Sequence, residues 1–383
     1  MYAVTSSNSD GKTLLSILRH WTVVPPSISF SFCSWAGVLC QQNAYFVAAL
    51  NLSGFGISGQ LGSEIANLKQ LRSIDLSYNS LFGSIPAEIG NCTLLQLLDL
   101  SFNSFSREMP GSIGNLQNLE YIGLFDNSLK VMIPESLFSI PQLQIIRDDS
   151  SSVGTFSSLE ELYLNVNHLV GSLPESLDNL LEHLVYLDVS SNMLEGRLPF
   201  FSGNRKDIDT LVFSDNQFSG YIPSALGNCS SLTALAARNC SFTSSIPSSF
   251  LQLEKLKLLY LSTNQLSGKI PPGLGNCRSL VDLRLHENQL EGEIPVELGM
   301  LSELENLYLY TNNLIGEIPT SVCKIHSLQN VAVYRNNLTG QLPEEITELK
   351  GLRNLCLYGN KLTGVHNTTR VGCSQQFRAG GFQ

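Results

Sequence analysis

Asp10-Gly11-Lys12-Thr13 is the first run whose residue types suggest chemistry. Gly-Lys-Thr closes a phosphate-binding loop, in which glycines let backbone N–H groups cradle a nucleotide. Here the leading Gly is missing and no strand-like segment precedes the run. No H-E-x-x-H and no C-x-x-C pair occurs, so the sequence offers no metal pattern and implies no cofactor. The kinase words H-R-D and D-F-G are absent as well. Catalysis therefore has no residues to carry it, and the expectation is a protein that is not an enzyme. Binding chemistry remains. Tyr163, Tyr186, Tyr260, Asp282, Arg284, His286, Tyr308, Tyr310, Tyr334 and Tyr358 set aromatic rings among charges. Such mixtures carry binding hot spots. The bland alternative is that Tyr simply suits a half-buried sheet position. Tyr310, Tyr334 and Tyr358 recur at 24-residue spacing, so the element that positions them must recur with the same period.

That element is visible in Leu280 to Pro295, which reads L-V-D-L-R-L-H-E-N-Q-L-E-G-E-I-P. The same frame starts at Leu256 and Leu304, 24 residues to either side. A period of this length with L-x-x-L-x-L-x-x-N-x-L is the leucine-rich-repeat signature. The L-x-L core alternates apolar and polar residues, as a half-buried strand requires. Stacked repeats then pair their strands into one parallel sheet at about 4.8 Å per repeat. The Asn at offset +8 (Asn264, Asn288, Asn312) turns inward to bond backbone groups that would otherwise be buried unpaired. Gly268, Gly292 and Gly316 permit a turn, and the following Pro stiffens the return segment. The fold class is α/β, a leucine-rich-repeat solenoid with its parallel sheet on the concave face. Offsets +2, +4, +6 and +7 point out of that sheet, which places the tyrosines on the concave surface.

Thirteen repeat starts fall between Val47 and Leu352. Residues 1–46 form a lead and a cap, 47–142 hold the first four repeats, and 159–364 hold those that continue to the thirteenth. Between them, segment 143–158 opens a strand on schedule and then loses the frame. It is either a shortened loop or the scar of deleted repeats, with the scar favoured because nothing in it could cover its neighbours' core edge. Residues 365–383 lack the L-x-L pattern and a paired-cysteine cap, as truncation would leave them. The opening residues lack an apolar leader core, so the chain starts where a mature ectodomain would start. No run of about 18 apolar residues occurs, so no membrane span is expected. The net charge of −10 argues against nucleic acid as a partner.

Nine cysteines sort by phase. Cys33 and Cys40 flank a Trp directly before the first repeat and suggest a disulfide-closed cap, which implies an oxidising compartment. Cys92, Cys229 and Cys277 share one convex-side row and read as small buried thiols. Cys240 takes an Asn position, and the pairing of Cys356 and Cys373 stays open. Sequons at Asn51, Asn91, Asn228, Asn239, Asn337 and Asn367 suit a secreted, glycosylated surface.

The cap C-x-W-x-G-V-x-C and the L-x-G-x-I-P return segment resemble the extracellular domains of plant leucine-rich-repeat receptor kinases. S-D-G-K-T-L-L-S-I-L, S-G-Q-L-G-S-E-I and P-E-S-L-F-S-I-P-Q-L-Q are similar to the receptors for plant elicitor (Pep) peptides. The resemblance implies a right-handed superhelix, an extended secreted peptide as ligand on the concave face, and a co-receptor kinase docking near the C-terminal repeats. It implies a cell-surface location, at the plasma membrane in a full-length parent. The missing later repeats, transmembrane helix and kinase put co-receptor recruitment in doubt. The alternative is a secreted repeat protein similar to the polygalacturonase inhibitors, which restrain a wall-degrading enzyme.

Overall fold

The computed structural model describes residues 9–21, 31–41, 46–140, 161–175, 177, 184–199 and 205–363. Segment 143–158, the tail 365–383, Cys373 and Asn367 lie outside the described residues. The chain divides into two compact units, Met1–Glu195 and Gly196–Gln383.

In the second unit each L-x-L triplet becomes a three-residue strand. Leu258–Tyr260, Asp282–Arg284, Asn306–Tyr308, Asn330–Ala332 and Asn354–Cys356 pair in parallel, in that order. The register is one full repeat, with Leu259 opposite Leu283 and Leu283 opposite Leu307. These leucines are at most 1% exposed, and burying each stabilises the stack by about 2 kcal/mol. Slipping by one residue would turn every leucine to solvent, so the hydrophobic pattern itself locks the register. A phenylalanine cluster joins them in the earlier repeats of this unit, Phe213 against Phe218 at 5.8 Å and Phe218 against Phe242 at 6.5 Å.

The inward asparagines knit neighbouring repeats. Asn312 Oδ1 accepts the Leu290 N–H at 3.0 Å, while its amide donates to the carbonyls of Leu285, Leu309 and Tyr310 at 3.0–3.4 Å. Asn264, Asn288 and Asn336 repeat this pattern. At Cys240 the thiol instead reaches the Phe213 carbonyl at 3.6 Å.

The return segment forms a second sheet. Ser267–Lys269, Gln289–Glu293, Asn313–Gly316 and Asn337–Leu338 pair in parallel along one flank. Each Ile-Pro then leads into a 3-10 turn, as in Pro272–Asn276 and Val296–Met300. Lys269 and Glu293 thus lie on this flank sheet.

The first unit builds the same way. Its strands Val47–Asn51, Ser73–Asp75, Leu97–Asp99 and Tyr121–Gly123 run parallel, and Val38–Cys40 adds an antiparallel edge. The Cys33–Cys40 bridge is formed, with 5.5 Å between Cα atoms. Helix Ser9–Leu18 lays Leu14 and Ile17 on the first repeat, beside Trp21 and Trp35. Asp10 is 3% exposed and accepts the Val47 N–H at 2.9 Å. Trp21 Nε1 donates to the Gln60 carbonyl at 3.1 Å. The open edge of the first repeat is thereby sealed. Further along, Asn167 bonds the Leu129 N–H at 3.0 Å and the Leu124 carbonyl at 3.0 Å. The repeat at Leu159 therefore stacks directly on the repeat at Leu119.

One backbone feature recurs throughout both units. Offset +7 lies in the left-handed region, with glycine in the first and last repeats (Gly54, Gly359) and a non-glycine residue between them, from Tyr78 (φ 52°) and Phe102 (φ 50°) to Glu287 (φ 55°) and Arg335 (φ 52°). A second left-handed column, at offset +12, belongs to glycines such as Gly292 (φ 78°), but Arg107 (φ 71°), Val131 (φ 74°) and Ser244 (φ 67°) replace glycine there.

Candidate functional site

The repeat register converts 24-residue spacing into stacked rings. In the second unit, His286, Tyr310, Tyr334 and Tyr358 stand on adjacent repeats. Ring centroids lie 4.2, 4.3 and 4.5 Å apart, with planes within 16° of parallel. The strand spacing of about 4.8 Å brings flat rings to stacking distance without distortion. The stack presents the expected row as one continuous aromatic wall, ending at Tyr358, which is 52% exposed.

The next lane, offset +4, holds Tyr260, Arg284 and Tyr308. The Arg284 guanidinium lies 4.4 Å from the Tyr260 ring and 5.5 Å from the Tyr308 ring. It also grips Asp282 with two bonds, Nε at 3.0 Å and Nη2 at 2.8 Å. Tyr260 OH and the Asn306 amide donate to the same carboxylate at 3.2 and 3.1 Å. Asp282 is 4% exposed, so its charge is held inside this knot and its role is to position Arg284 and Tyr260. Burial and the Asp282 charge push the Tyr260 hydroxyl up to about 12. Burial, with Arg284 and Arg238 nearby, pushes the His286 imidazole down to about 3. The ring is therefore neutral, and its buried Nδ1 makes no hydrogen bond among the described residues. Arg238 is paired with Asp215 at 2.9 Å. The result is an aromatic surface in which the Arg284–Asp282 and Arg238–Asp215 pairs are closed, while Glu287 and Arg335 bring their charges to the tyrosine stack.

A polar lane at offset +2 escaped the sequence reading. Asn354 donates to Asn330, Asn330 donates to Asn306 at 2.6 Å, and Asn306 ends on Asp282. Its signal was present as Asn at one phase in three successive repeats.

In the first unit, the Tyr163 and Tyr186 rings meet at 4.6 Å, tilted by 30°. They extend into a longer diagonal. Phe125 meets Tyr163 at 6.1 Å, Phe102 meets Phe125 at 5.1 Å, and Tyr78 stacks on Phe102 at 4.1 Å. Tyr78 and Phe102 were not singled out from sequence, although both stand at offset +7. Tyr163 OH donates to Glu161 at 3.1 Å and Tyr121 OH to Asp99 at 3.1 Å. Burial raises the carboxyls of Asp99 and Asp188, against the pull of Ser101 and Ser190.

The remaining cysteines keep their expected environments. Cys92, Cys229 and Cys277 are at most 1% exposed, and burial pushes each thiol up to about 11. Cys356 is held in a disulfide. Asn51, Asn91, Asn228, Asn239 and Asn337 are all exposed.

Comparison with known proteins meets this geometry. A leucine-rich repeat region profile matches residues 211–367, and a leucine-rich repeat profile matches 70–92, 94–116 and 158–180. A receptor-like protein kinase of Ipomoea nil is 49% identical over 81 residues, 19% of this chain and 7% of that protein. PEPR2 of Arabidopsis thaliana, a leucine-rich repeat receptor-like protein kinase, is 46% identical over 80 residues, 18% of this chain and 7% of that protein. The crystal structure of PEPR1–AtPEP1 superposes with a TM-score of 0.76 at 40% identity, covering 93% of this chain and 56% of that one. A TDR receptor structure gives a TM-score of 0.69 at 29% identity, over 82% of this chain and 56% of that one. The chain thus spans about half the length of these solved receptors and a small part of the curated kinases. Among the described residues no helix is long and apolar enough to cross a membrane. With its repeat frame, its bridged cap and these relatives, the chain belongs to the leucine-rich-repeat proteins, alongside the ectodomains of plant receptor-like kinases.

Proposed function

We propose that this chain is an extracellular peptide-perceiving domain, which binds an extended secreted peptide on its concave face. The observation that carries the reading is the parallel stack of His286, Tyr310, Tyr334 and Tyr358. Stiff aromatic rings lose little side-chain entropy on contact and are enriched among binding hot spots. The Cys33–Cys40 bridge fits an oxidising, extracellular compartment. Titration calorimetry with synthetic AtPEP1, the peptide named with the PEPR1 structure, tests the reading. Replacing Tyr310 and Tyr334 with Ala should weaken binding by about 1–2 kcal/mol each, roughly tenfold per ring. Replacing Lys269 or Glu293 on the flank should change it little. Equal losses from the concave and flank substitutions would reject this face as the site.

A further inference from the structure

Offsets +2, +4, +6 and +7 face out of the concave sheet. In the repeats from Ile208 to Leu352 they carry six charged side chains, Asp215, Arg238, Asp282, Arg284, Glu287 and Arg335. Four of the six close on one another, Arg238 on Asp215 at 2.9 Å and Arg284 on Asp282 at 2.8 Å. Glu287 and Arg335 are exposed, and neither has an ion pair among the described residues. Both stand at offset +7, two repeats apart, with the neutral Thr311 between them. Thr263 Oγ1 donates to Glu287 Oε2 at 3.0 Å and holds that carboxylate on the rim. The Arg335 main-chain N–H donates to the Tyr358 carbonyl at 2.9 Å. The two charges bracket the ring stack. Burial raises the hydroxyls of Tyr310 and Tyr334, the Glu287 charge raises both further, and Arg335 pulls Tyr334 back.

Two repeats span roughly 9.6 Å along the sheet. Opposite charges at that separation attract each other only weakly through water and salt. A ligand that carries the complementary pair at the same separation meets both at close range. Chain geometry then selects the kind of segment. In a β-strand three residues cover about 10 Å, but residues i and i+3 point to opposite faces. In polyproline II three residues cover about 9.3 Å and complete one turn, so i and i+3 share a face.

We infer that Glu287 and Arg335 read a pair of opposite charges on a peptide, a basic and an acidic side chain three residues apart in a polyproline-II segment, with the basic one on Glu287 and the acidic one on Arg335. The inference rests on the concave-face reading above and adds the charge pattern of the ligand and the residues that select it. Glu287 and Arg335 are then specificity-determining residues, and the tyrosine stack supplies the affinity.

The test selects a phage-displayed library of random linear peptides on the full chain. The converged sequences are remade as synthetic peptides with capped ends, and binding is measured by titration. The expected result is one basic and one acidic position three residues apart, with proline enriched between them. Inserting one residue between the two should weaken binding about fivefold. Glu287→Arg should cost a similar factor. Replacing the peptide's basic residue with Glu should restore binding to that variant, whereas replacing its acidic residue with Lys should not. Arg335→Glu should be rescued by the second exchange and not by the first. Glu and Arg already occupy offset +7 with nearly the same backbone angle, so neither reversal strains the turn. The insertion series needs no altered protein and reads the spacing independently of the variants. Selected peptides that lack the charge pair, or reversals that cost nothing or are rescued by either exchange alike, would overturn the proposal, as would a library that yields no binder. Peptides lost on Tyr310→Ala with Tyr334→Ala but indifferent to both reversals would remove the charge reading and retain the concave face. Peptides indifferent to all four substitutions would remove both.

Discussion

Replacing Asn312 with Ala should destabilise the second unit by roughly 3–5 kcal/mol. Asn312 is 7% exposed and makes four hydrogen bonds to backbone groups. The three carbonyls it serves are not left bare. Leu285 still accepts from Asn288, Leu309 from Asn336, and Tyr310 from the Glu287 N–H. The Leu290 N–H has Asn312 Oδ1 as its acceptor, and Leu290 is 0% exposed. Orphaning that donor costs about 1–3 kcal/mol, and three lost bonds add about 0.5–1.5 kcal/mol each before relaxation. Because a solenoid is a chain of local interfaces, the damage should be local as well. Hydrogen exchange should accelerate at Leu290 and in the two flanking repeats, and little elsewhere. The exposed neighbour Asn313 is the control, with an effect within about 0.5 kcal/mol for Asn313→Ala. Urea unfolding followed by circular dichroism gives the total, and exchange gives its place. A loss below about 1 kcal/mol, or unchanged exchange at Leu290, would refute the reasoning.

The other predictions concern strain, acid and redox state. Val131→Gly should stabilise the first unit by about 1 kcal/mol, because relief of a β-branched residue at φ 74° outweighs the added freedom of the unfolded glycine; thermal melting checks it, and a lowered midpoint counts against it. His286 is depressed to about 3 when folded, so its stability contribution is complete above the unfolded value near 6.5. That contribution declines as pH falls from there toward 3, by at most about 1.4 kcal/mol per pH unit. His286→Phe should remove this dependence. Asp99 and Asp188 are raised and act with the opposite sign, so the wild-type minus variant difference is the quantity to measure. Non-reducing digestion and mass spectrometry of secreted material should recover the linked Cys33–Cys40 peptide, and two free thiols there would remove the extracellular reading.

Much of this architecture was legible in advance because one period governs it. Once Leu256, Leu280 and Leu304 set the frame, the burial of Leu259, Leu283 and Leu307 and the inward Asn264, Asn288 and Asn312 followed from phase alone. The Tyr310–Tyr334–Tyr358 stack was legible for the same reason. Features that cross the period were harder to see. The diagonal from Tyr78 to Tyr186 moves from offset +7 to offset +2 along the repeats, so no single column displays it. The second sheet was hidden because Ser267–Lys269 and its successors are short and Gly-containing, with few β-favouring residues. Asp282 looks like an exposed charge by phase. Its burial depends on Arg284, Tyr260 and Asn306 converging on it from three repeats.

The left-handed column at offset +7 bears on how such a surface can change over generations. Tyr, Phe, Asp, Val, Ser, Asn, Thr, Glu and Arg all occupy it with nearly the same backbone angle. The conformational penalty is therefore a fixed toll of the turn, met by neighbouring bonds whatever side chain is present. Most columns of the repeat tolerate one chemistry, and this rim tolerates nearly any. Exchanging a charge for a ring there, in a single codon, can redirect which partner is attracted while the scaffold beneath stays intact. The rim is where descendants of this chain could diverge in taste without first having to survive a change in fold.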